Sequence, residues 1–529
     1  MTKGTPVWQP DQGLVTNVPP TMVPDRGATE TNNVVFFDGK IVVRPGMQIQ
    51  TDLTPSPLTN GVITHLGTMV TQDQIFFLMR VEAQGTVGRV FVYDPTMLMW
   101  TEITPASLFV AADAHRPTSC QFKGEWLLAT GGSNLMRWTG TGNLVDVTAA
   151  QSDAALKAPL NPYFVCASAT RVFVANAEDP ATNERIPWRV WWSDSLNSGI
   201  WSNGAGLGSQ GSAGYQDLTH DSSPITAMVF HGSTNIVVLK RHSIYRSVFR
   251  GSPVWYDFLP VTRSRGCVAS GSVQAWNEEL IWLGDDFNVY AMGLDGRIQA
   301  IGDSIRPRIE SLFNVYYSWA VSSMVDIVHS LYWLMIPYDQ VGGVANKIFV
   351  CNLKTGAWSE SAMETSTLQM ASALWYWPDP PFYIRHPQQL WGGSDGNIYV
   401  ADYANPVMAD GDAKFEATWW GRVVDFLAEL GGKGETMEYH KAALHGLTGV
   451  AFPQIRMGKN LKALVNAQPQ QLNPLDAQDM DGDPVAYSAN KRVDPERFGQ
   501  FGIRWPRGIS NPAQVGGFTA WGQPRGEAR

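Results

Sequence analysis

Residues 271–302, GSVQAWNEELIWLGDDFNVYAMGLDGRIQAIG, limit the possible folds more than any other stretch of the chain. Four short strand-like runs alternate there with turn signals, at residues 272–276, 280–284, 288–292 and 297–301. The last turn contains Asp295-Gly296, a dipeptide that tolerates the positive φ of a tight hairpin. The stretch therefore predicts a four-stranded meander. Because a single meander has two open edges and an uncovered face, it needs neighbouring copies to be stable.

Similar pairs of runs recur from about residue 62 to residue 405. Each pair begins with a strongly apolar run and continues with a second run that leads into a polar hairpin. The apolar runs are residues 74–80, 125–130, 171–175, 235–240, 280–284, 331–336 and 389–392. Their partners begin at Arg89, Leu135, Arg189, Ser243, Asn288, Lys347 and Asn397. Each pair is a candidate blade of a propeller.

The pattern predicts an all-β fold with a β-propeller-like body of six or seven blades, in which the apolar runs form inner strands. A two-sheet sandwich with many strands is the alternative. Helical periodicity is almost absent, and the expected helix is residues 303–313, with Asp303 or Ser304 as its N-cap and Pro307 in its first turn.

Changes in composition divide the chain into three parts. Residues 1–31 form an extended, Pro-rich N-terminal arm, because proline removes backbone donors and favours extended conformations. Residues 32–406 form the propeller-like body, in which residues 33–46 are a hairpin that supplies a first or closing strand. Residues 407–529 form an additional C-terminal antiparallel β domain with strand-like runs at 415–426, 437–444, 453–457, 487–493 and 502–505. The tail from residue 516 is expected to be loose.

Charge and cysteine usage exclude several functional classes. The 529 residues carry a net charge of −9 without a long Lys/Arg run, which argues against a protein that grips nucleic acid. The four cysteines form no CxxC pair, which favours buried thiols in a reducing compartment. The N-terminus lacks the apolar core of a signal peptide or membrane span, so we expect folding in the cytosol and no membrane insertion.

Two glycine-rich spellings of catalytic or nucleotide-binding motifs lack the required context. Residues 206–211, GLGSQG, match GxGxxG, but no buried strand precedes them and no helix follows, so a flexible loop is expected. Residues 392–396, GGSDG, match GxSxG, but they join two strands, whereas a nucleophile elbow joins a strand to a helix. We expect a hairpin turn there.

The remaining candidate sites are also weak. Asp479, Asp481 and Asp483 alternate as in a calcium loop, but the glycine and the bidentate glutamate of such loops are replaced, so residues 476–483 are read as a solvated acidic loop with weak cation binding left open. His440 and His445 are expected on opposite faces of a strand without a carboxylate partner. We therefore predict no catalytic, cofactor-binding or metal-ligating residues and no cofactor.

One motif resembles a known turn. Trp192-Ser193-Asp194 leading to Trp201 resembles the Asp-box turn of sialidase propellers, although its Gly and Trp spacing departs from that pattern. No set of arginines and no Tyr-Glu pair accompanies this motif, so we cannot assign residues that would catalyse glycoside hydrolysis. Trp282 and Trp333 lie in uninterrupted apolar runs, LIWLG and LYWLM, and are predicted to be core residues.

The order of elements resembles the tail stabilisation, or tail accessory, proteins of short-tailed bacteriophages (podoviruses). The resemblance rests on the Pro-rich arm, GKIVVRPG, IPWRVWWSDSLNSGIWS, SRGCVASGSVQAWNEELIWLGDDFNVYAMGLDGRIQAI and RFGQFGIRWPRGI, and it spans nearly the whole chain. It implies a structural virion protein, not an enzyme, that forms a hexameric tail nozzle below the portal and adaptor. It further implies head closure after DNA packaging, a conduit for DNA ejection, and a platform for tail fibres, spikes or needle.

Localisation and partners follow from the same resemblance. It implies assembly in the host cytoplasm, a place in the virion tail, and DNA that passes through the ring without specific binding. The alternatives are a carbohydrate-binding or polysaccharide-depolymerising propeller and an intracellular scaffold propeller, because the fold alone does not decide function.

Overall fold

The computed structural model describes residues 3–4, 11–37, 39–50, 53, 61–71, 76–110, 115–149, 158–201, 212–232, 235–251, 254–338, 345–363, 370–376, 388–401, 408–410, 413–425, 436–445, 452–458, 461–471, 473–474, 486–488, 498–507 and 517–525. Six strands precede the repeats: β1 Lys3–Gly4, β2 Gly13–Leu14, β3 Gly27–Asn32, β4 Val34–Phe37, β5 Lys40–Val43 and β6 Met47–Ile49. β4 and β5 pair as the predicted hairpin.

Five antiparallel sheets of four strands follow in chain order. Blade 1 comprises β7 Val62–Val70, β8 Phe76–Gln84, β9 Val87–Asp94 and β10 Met99–Glu102. Blade 2 comprises β11 Thr118–Phe122, β12 Glu125–Ala129, β13 Met136–Trp138 and β14 Val145–Asp146. Blade 3 comprises β15 Phe164–Ala167, β16 Val172–Glu178, β17 Arg185–Trp192 and β18 Gly214–Asp217. Blade 4 comprises β19 Ile225–His231, β20 Asn235–Lys240, β21 Ile244–Phe249 and β22 Tyr256–Thr262. Blade 5 comprises β23 Gln274–Trp276, β24 Glu279–Leu283, β25 Val289–Met292 and β26 Ile298–Ala300.

Two further four-stranded units lie within a sixth, larger sheet. Blade 6 comprises β27 Ser322–Asp326, β28 Leu331–Pro337, β29 Ala345–Asn352 and β30 Trp358–Ala362. Blade 7 comprises β31 Met370–Tyr376, β32 Gln388–Gly393, β33 Ile398–Ala401 and, as its outer strand, β6. The bridge between Ala345 and Met370 joins the two units. The described residues thus form seven four-stranded units in six sheets.

The seven units close into a ring, which establishes the predicted β-propeller. The first strand of each blade lies against the first strand of the next, with the short 3₁₀ turn Ser270–Ser272 standing between β19 and blade 5. β31 lies against β7, so the last blade meets the first. Because β6 comes from the segment before blade 1 and completes blade 7, the chain itself fastens the ring.

The apolar runs of the sequence are confirmed as strands, but their position in the blade was wrong. They form β8, β12, β16, β20, β24, β28 and β32, which are the second strands of their blades and not the innermost ones. A second strand has a hydrogen-bonded neighbour on both edges and another blade against each face, so it is apolar throughout, as Leu331–Pro337 is buried at every position. The innermost strands face a channel and therefore carry polar residues.

The tryptophans predicted to lie in the core do so. Trp282 is fully buried, stacks on Tyr290 at 5.8 Å between ring centroids and donates its indole N–H to the Gly266 carbonyl at 3.0 Å. Trp333 is also fully buried and meets Trp391 edge to face at 5.9 Å. Each side chain fills the space between neighbouring blades.

The predicted helix is shorter than expected and has a different cap. Helix α1, Arg306–Leu312, has Pro307 in its first turn, but its N-cap is Ile305 and no side chain caps it. Asp303 is occupied elsewhere, since it accepts a hydrogen bond from the Asn288 side chain at 2.7 Å. A 3₁₀ helix, Val315–Ala320, then leads to β27.

The C-terminal region adds strands and a second short helix. Their bounds are β34 Ala409–Asp410, β35 Ala413–Lys414, β36 Ala417–Asp425, β37 Thr436–His445, β38 Phe452–Gly458, α2 Leu461–Asn466, β39 Gln470–Gln471, β40 Asn473–Pro474, β41 Ala486–Ser488, β42 Phe498–Trp505 and β43 Gly517–Arg525. One antiparallel sheet has the order β1-β43-β37-β41-β40. Residues 517–525 of the predicted loose tail are therefore a strand, paired along β37 and with β1.

The described part of the N-terminal arm is paired within its own chain. β3 lies between β36 of the C-terminal region and β2, and β2 in turn pairs with β30 of blade 6. Thr16 adds two hydrogen bonds to the Ser304 carbonyl, from its backbone N–H at 2.7 Å and its hydroxyl at 2.8 Å. The arm is extended as predicted, and it joins the C-terminal strands to the propeller in one continuous sheet.

Arg44, in the GKIVVRPG motif, holds the junction of these parts. Its guanidinium forms a bidentate, fully buried ion pair with Asp410 at 2.8 and 2.6 Å and donates to the Asn33 side chain at 2.8 Å. Further bonds reach the Pro45 and Ala362 carbonyls at 3.2 and 3.3 Å. All five N–H donors of the arginine thereby find acceptors, which is the condition under which a buried charge is tolerated.

Candidate functional site

The first strands of the blades line a central cavity of about 530 Å³. Its lining includes Ser119 and Thr118 of β11, Ser323 of β27, Gln274 of β23 and His65 of β7. The ring closes around the cavity because each of these strands lies against the next. The sequence analysis did not identify these residues. The pattern that could have identified them is a short run of mixed polarity just before each apolar run.

The cavity carries no charge at neutral pH among its described lining residues. His65 has its Nε2 2.8 Å from the Ser119 hydroxyl, and burial together with nearby Arg116 lowers its pKa to about 4. Burial likewise raises the pKa of the thiols of Cys120 and Cys166 above its ordinary value. The imidazole, thiol, hydroxyl and amide groups among the described lining residues are therefore neutral at pH 7.

A second histidine, His115, packs against Phe164 of the cavity lining, with ring centroids 4.8 Å apart. His115 stacks on Tyr163 with ring centroids 4.7 Å apart, and its Nε2 lies 2.5 Å from the Tyr163 carbonyl. Burial lowers its pKa to about 3, despite that hydrogen bond. His115 is therefore neutral at physiological pH and acts as a packed ring.

A larger cavity, about 990 Å³, lies where the arm, blade 6 and the C-terminal strands meet. Its charged lining residues form ion pairs: Arg308 and Lys347 with Glu360 at 2.7 and 2.5 Å, Arg456 with Glu30 at 3.1 Å, and Arg504 with Glu416 at 2.9 Å. Burial opposes ionisation of Glu360, yet the hydrogen bonds and charges of its two cationic partners hold its pKa below the usual range. Each of these cations already has a carboxylate partner. We therefore interpret the cavity as a polar contact region between the arm, blade 6 and the C-terminal strands.

The GxSxG spelling at residues 392–396 is a hairpin turn, as predicted. It joins β32 to β33, and Gly396 has a φ of 79°, a value that glycine adopts without strain. Arg80 of blade 1 donates to the Gly396 carbonyl at 2.6 Å, across the point where the last blade meets the first. The turn therefore contributes to ring closure.

The turn at Trp192-Ser193-Asp194 is held together by its own hydrogen bonds. Burial disfavours the charge on Asp194, but donors from Ser212 and Ser195 keep its pKa below the ordinary value. Trp201 is fully buried and donates its indole N–H to the Ser198 carbonyl at 2.8 Å. These polar groups therefore form hydrogen bonds within the connection from β17 to β18.

Other candidates lie partly or wholly outside the described residues. Residues 206–211 and Asp479, Asp481 and Asp483 are outside them. His440 and His445 lie on β37, where the pairing with β43 skips His440, so this residue lies at an irregularity of the ladder. Within the described ranges, no group of three or more His, Cys, Asp or Glu side chains could hold a metal ion. None of the helices in those ranges combines the length and the apolar character that crossing a membrane requires.

Comparisons with known proteins give no family. No family model matches the chain, and no curated protein matches it. Among solved structures, Sqt1 of Saccharomyces cerevisiae is 8% identical with a TM-score of 0.37, covering 68% of this chain and 99% of its own. The Pan2 WD40 domain of Neurospora crassa is 8% identical with a TM-score of 0.35, covering 68% and 94%. An oligogalacturonate lyase from Vibrio parahaemolyticus is 11% identical with a TM-score of 0.35, covering 71% and 97%. Likeness at this level carries no functional argument, and the propeller assignment rests on the strand pairing described above.

Proposed function

We propose that this chain is a structural virion protein that forms the tail nozzle, or hub, of a short-tailed bacteriophage. In this role it lies below the portal and adaptor and closes the head after DNA packaging. It then provides a conduit for DNA ejection and a docking platform for tail fibres, spikes or needle. In this proposal the protein has a structural role, as part of the tail wall and as a connector to other tail proteins, and it is not an enzyme.

The observation that carries the proposal is that both terminal regions are built into the body. β2 and β3 of the arm pair with blade 6 and with β36, and the buried Arg44–Asp410 pair ties the hairpin before the propeller to the segment after it. A head-closing wall has to resist the pressure of packaged DNA, and a chain that is fastened at both ends resists unravelling from either end. A soluble enzyme has no comparable requirement.

Charge supports the passage of DNA without retention. A chain with a net charge of −9, repeated in a homo-hexameric ring, is strongly anionic, and an anionic wall repels phosphates. The DNA conduit in this proposal is the lumen of the ring of copies. The cavity inside one propeller, about 530 Å³, is too small for a duplex.

Imaging of phage particles that contain the chain tests the proposal. We expect density for the propeller as a ring on the tail axis, directly below the portal and adaptor. Density away from that axis, absence of the chain from particles, or tight salt-sensitive DNA binding by the purified protein would contradict it.

The carbohydrate-binding or depolymerising alternative makes a different prediction. Such a protein needs a cleft lined by exposed tryptophan rings with paired carboxylates. Among the described tryptophan side chains none is exposed, and the largest of the fully buried set include Trp126, Trp191, Trp192, Trp358 and Trp505. Polysaccharide turnover that disappears in Asp194→Asn would favour this alternative, and capture of a host protein in uninfected cytosol would favour the scaffold propeller.

A further inference from the structure

Two hairpins on opposite sides of the propeller expose apolar side chains at their tips. In blade 1 the turn from β9 to β10 presents Met97 and Leu98, which are 68% and 69% exposed. In blade 4 the turn from β21 to β22 is flanked by Phe249, which is 63% exposed. The two blades are three positions apart in the ring of seven. The two tips therefore lie on opposite sides of the ring.

The surfaces around the two tips carry opposite charge. Residues 235–265 hold six Lys or Arg and a single Asp, although the whole chain is acidic. Lys240 is buried against Asp221, and Arg241 lies in the turn between β20 and β21. Arg246 and Arg250 lie close to Phe249 in the chain, and Arg250 forms an exposed pair with Asp257 at 3.2 Å. Residues 90–110 hold Asp94 and Glu102 and no Lys or Arg. The nearest cation, Arg89, lies 3.9 Å from Glu102 in an exposed pair.

We define an acidic rim surface and a basic rim surface from these residues. The acidic rim surface comprises Asp94, Met97, Leu98, Met99 and Glu102, and the basic rim surface comprises Arg246, Phe249, Arg250, Val254 and Leu259. The acidic rim surface runs from the end of β9 through the turn to β10, and the basic rim surface runs from β21 through the turn to β22. β10 and β22 are the outer edge strands of their sheets. Pro260 removes a backbone donor from β22, so side chains, and not strand pairing, provide the contact.

We propose that the acidic rim surface of one copy docks on the basic rim surface of the next copy of this chain. Methionine, aromatic and arginine side chains are the groups enriched in the buried parts of protein interfaces, and opposite charges fix their register. Two different, complementary patches on opposite sides of a subunit are what a head-to-tail interface requires, and such an interface generates a ring when the rotation closes. This inference rests on the ring of the proposed function and names the surfaces that build it.

Two single variants test the contact by blocking one surface each. Leu98→Asp blocks the acidic rim surface, and Phe249→Asp blocks the basic one, while both side chains are exposed and leave the core intact. We expect the full-length wild-type protein to self-associate in sedimentation velocity, and each variant to weaken that association by at least about tenfold. Tyr316→Asp, at a tyrosine that is 81% exposed outside both surfaces, is the matched control and should associate as the wild type does.

Mixing the two variants gives the decisive result. Each variant keeps one intact surface of opposite kind, so an equimolar mixture should form one-to-one dimers and nothing larger. Continued assembly of either variant alone, or a mixture that stays monomeric while the wild type assembles, overturns the interface. A wild-type chain that remains monomeric also overturns it. These results are distinct from failure of the proposed function, which particle imaging decides independently: a ring on the tail axis can be built from other surfaces, and the rim contact can exist in a protein without a virion role.

Discussion

The propeller and the sheet that joins the two ends of the chain are built in opposite ways. In blade 5, β23 to β26 pair in chain order through tight turns, and Asn277 and Glu278 both have positive φ, as a two-residue hairpin requires. In the joining sheet, Asn32 pairs with Thr418 and Gly13 with Trp358. The blades are therefore held by local pairing and apolar packing, whereas the joining sheet depends on contacts between distant segments and on polar groups such as Arg44. Two regions with similar strands thus have different weak points.

The largest expected effect is removal of an indole from between the blades. Trp282→Ala should lower the free energy of unfolding by about 3–5 kcal/mol, because it leaves a cavity that the rigid neighbouring strands cannot fill. Denaturant unfolding measures the loss, and hydrogen exchange should show faster opening of β24 and β25 while β3 and β36 keep their protection. Unchanged stability would place this strand on the surface.

Removal of the buried arginine should affect the other region. Arg44→Met leaves Asp410 buried without its cation and should cost about 3 kcal/mol. Hydrogen exchange should speed up first in β4, β6 and the segment around Asp410, and not in blade 5. The double variant Arg44→Met with Asp410→Leu should recover much of the loss, since no unpaired charge remains, and failure to recover would show that the hydrogen bonds to Asn33 and Ala362 dominate.

Acidification should weaken the propeller through His65 and His115. The pKa values of His65 and His115 fall to about 4 and about 3 in the folded protein. An unfolded chain has the ordinary histidine pKa of about 6.5, so below that pH it binds more protons than the folded protein does. Stability is then complete above about pH 6.5 and falls as the pH drops, by about 1.4 kcal/mol for each histidine at pH 5.5. Unfolding curves at pH 7.5 and 5.5 measure the difference. His65→Gln should remove about half of it, and an unchanged pH dependence in this variant would contradict the assignment.

The smallest effect is expected from an exposed ion pair in the joining sheet. Glu30→Gln removes the partner of Arg456, but the Glu30 side chain is 53% exposed and the arginine still lies 3.8 Å from the Trp420 ring centroid. The change should cost less than about 1 kcal/mol and should shrink further at high salt. A loss as large as that of Arg44→Met would show that the joining sheet depends on its rim charges as much as on its buried pair.

The sequence by itself determined the units of this fold. The apolar second strands, their third-strand partners, the Asp295-Gly296 turn and the burial of Trp282 and Trp333 could all be read from short patterns, because each depends on residues that are neighbours in the chain. The turn at residues 392–396 was equally readable, since its strand-to-strand context excluded a nucleophile elbow. None of these features needs information about distant segments.

Only the tertiary structure decided how the units meet. Three contacts join segments that lie far apart in the chain: the pairing of β6 with blade 7, the pairing of β3 with β36, and the Arg44–Asp410 ion pair. No local sequence pattern predicts which sheet edge a strand will pair with. The innermost strands escaped sequence reasoning for a related reason. One edge of each innermost strand faces the central cavity, and the other edge pairs with the second strand of the blade. These strands therefore show neither a continuous apolar run nor a regular alternation of apolar and polar residues. Only the closed ring identifies them as the innermost strands.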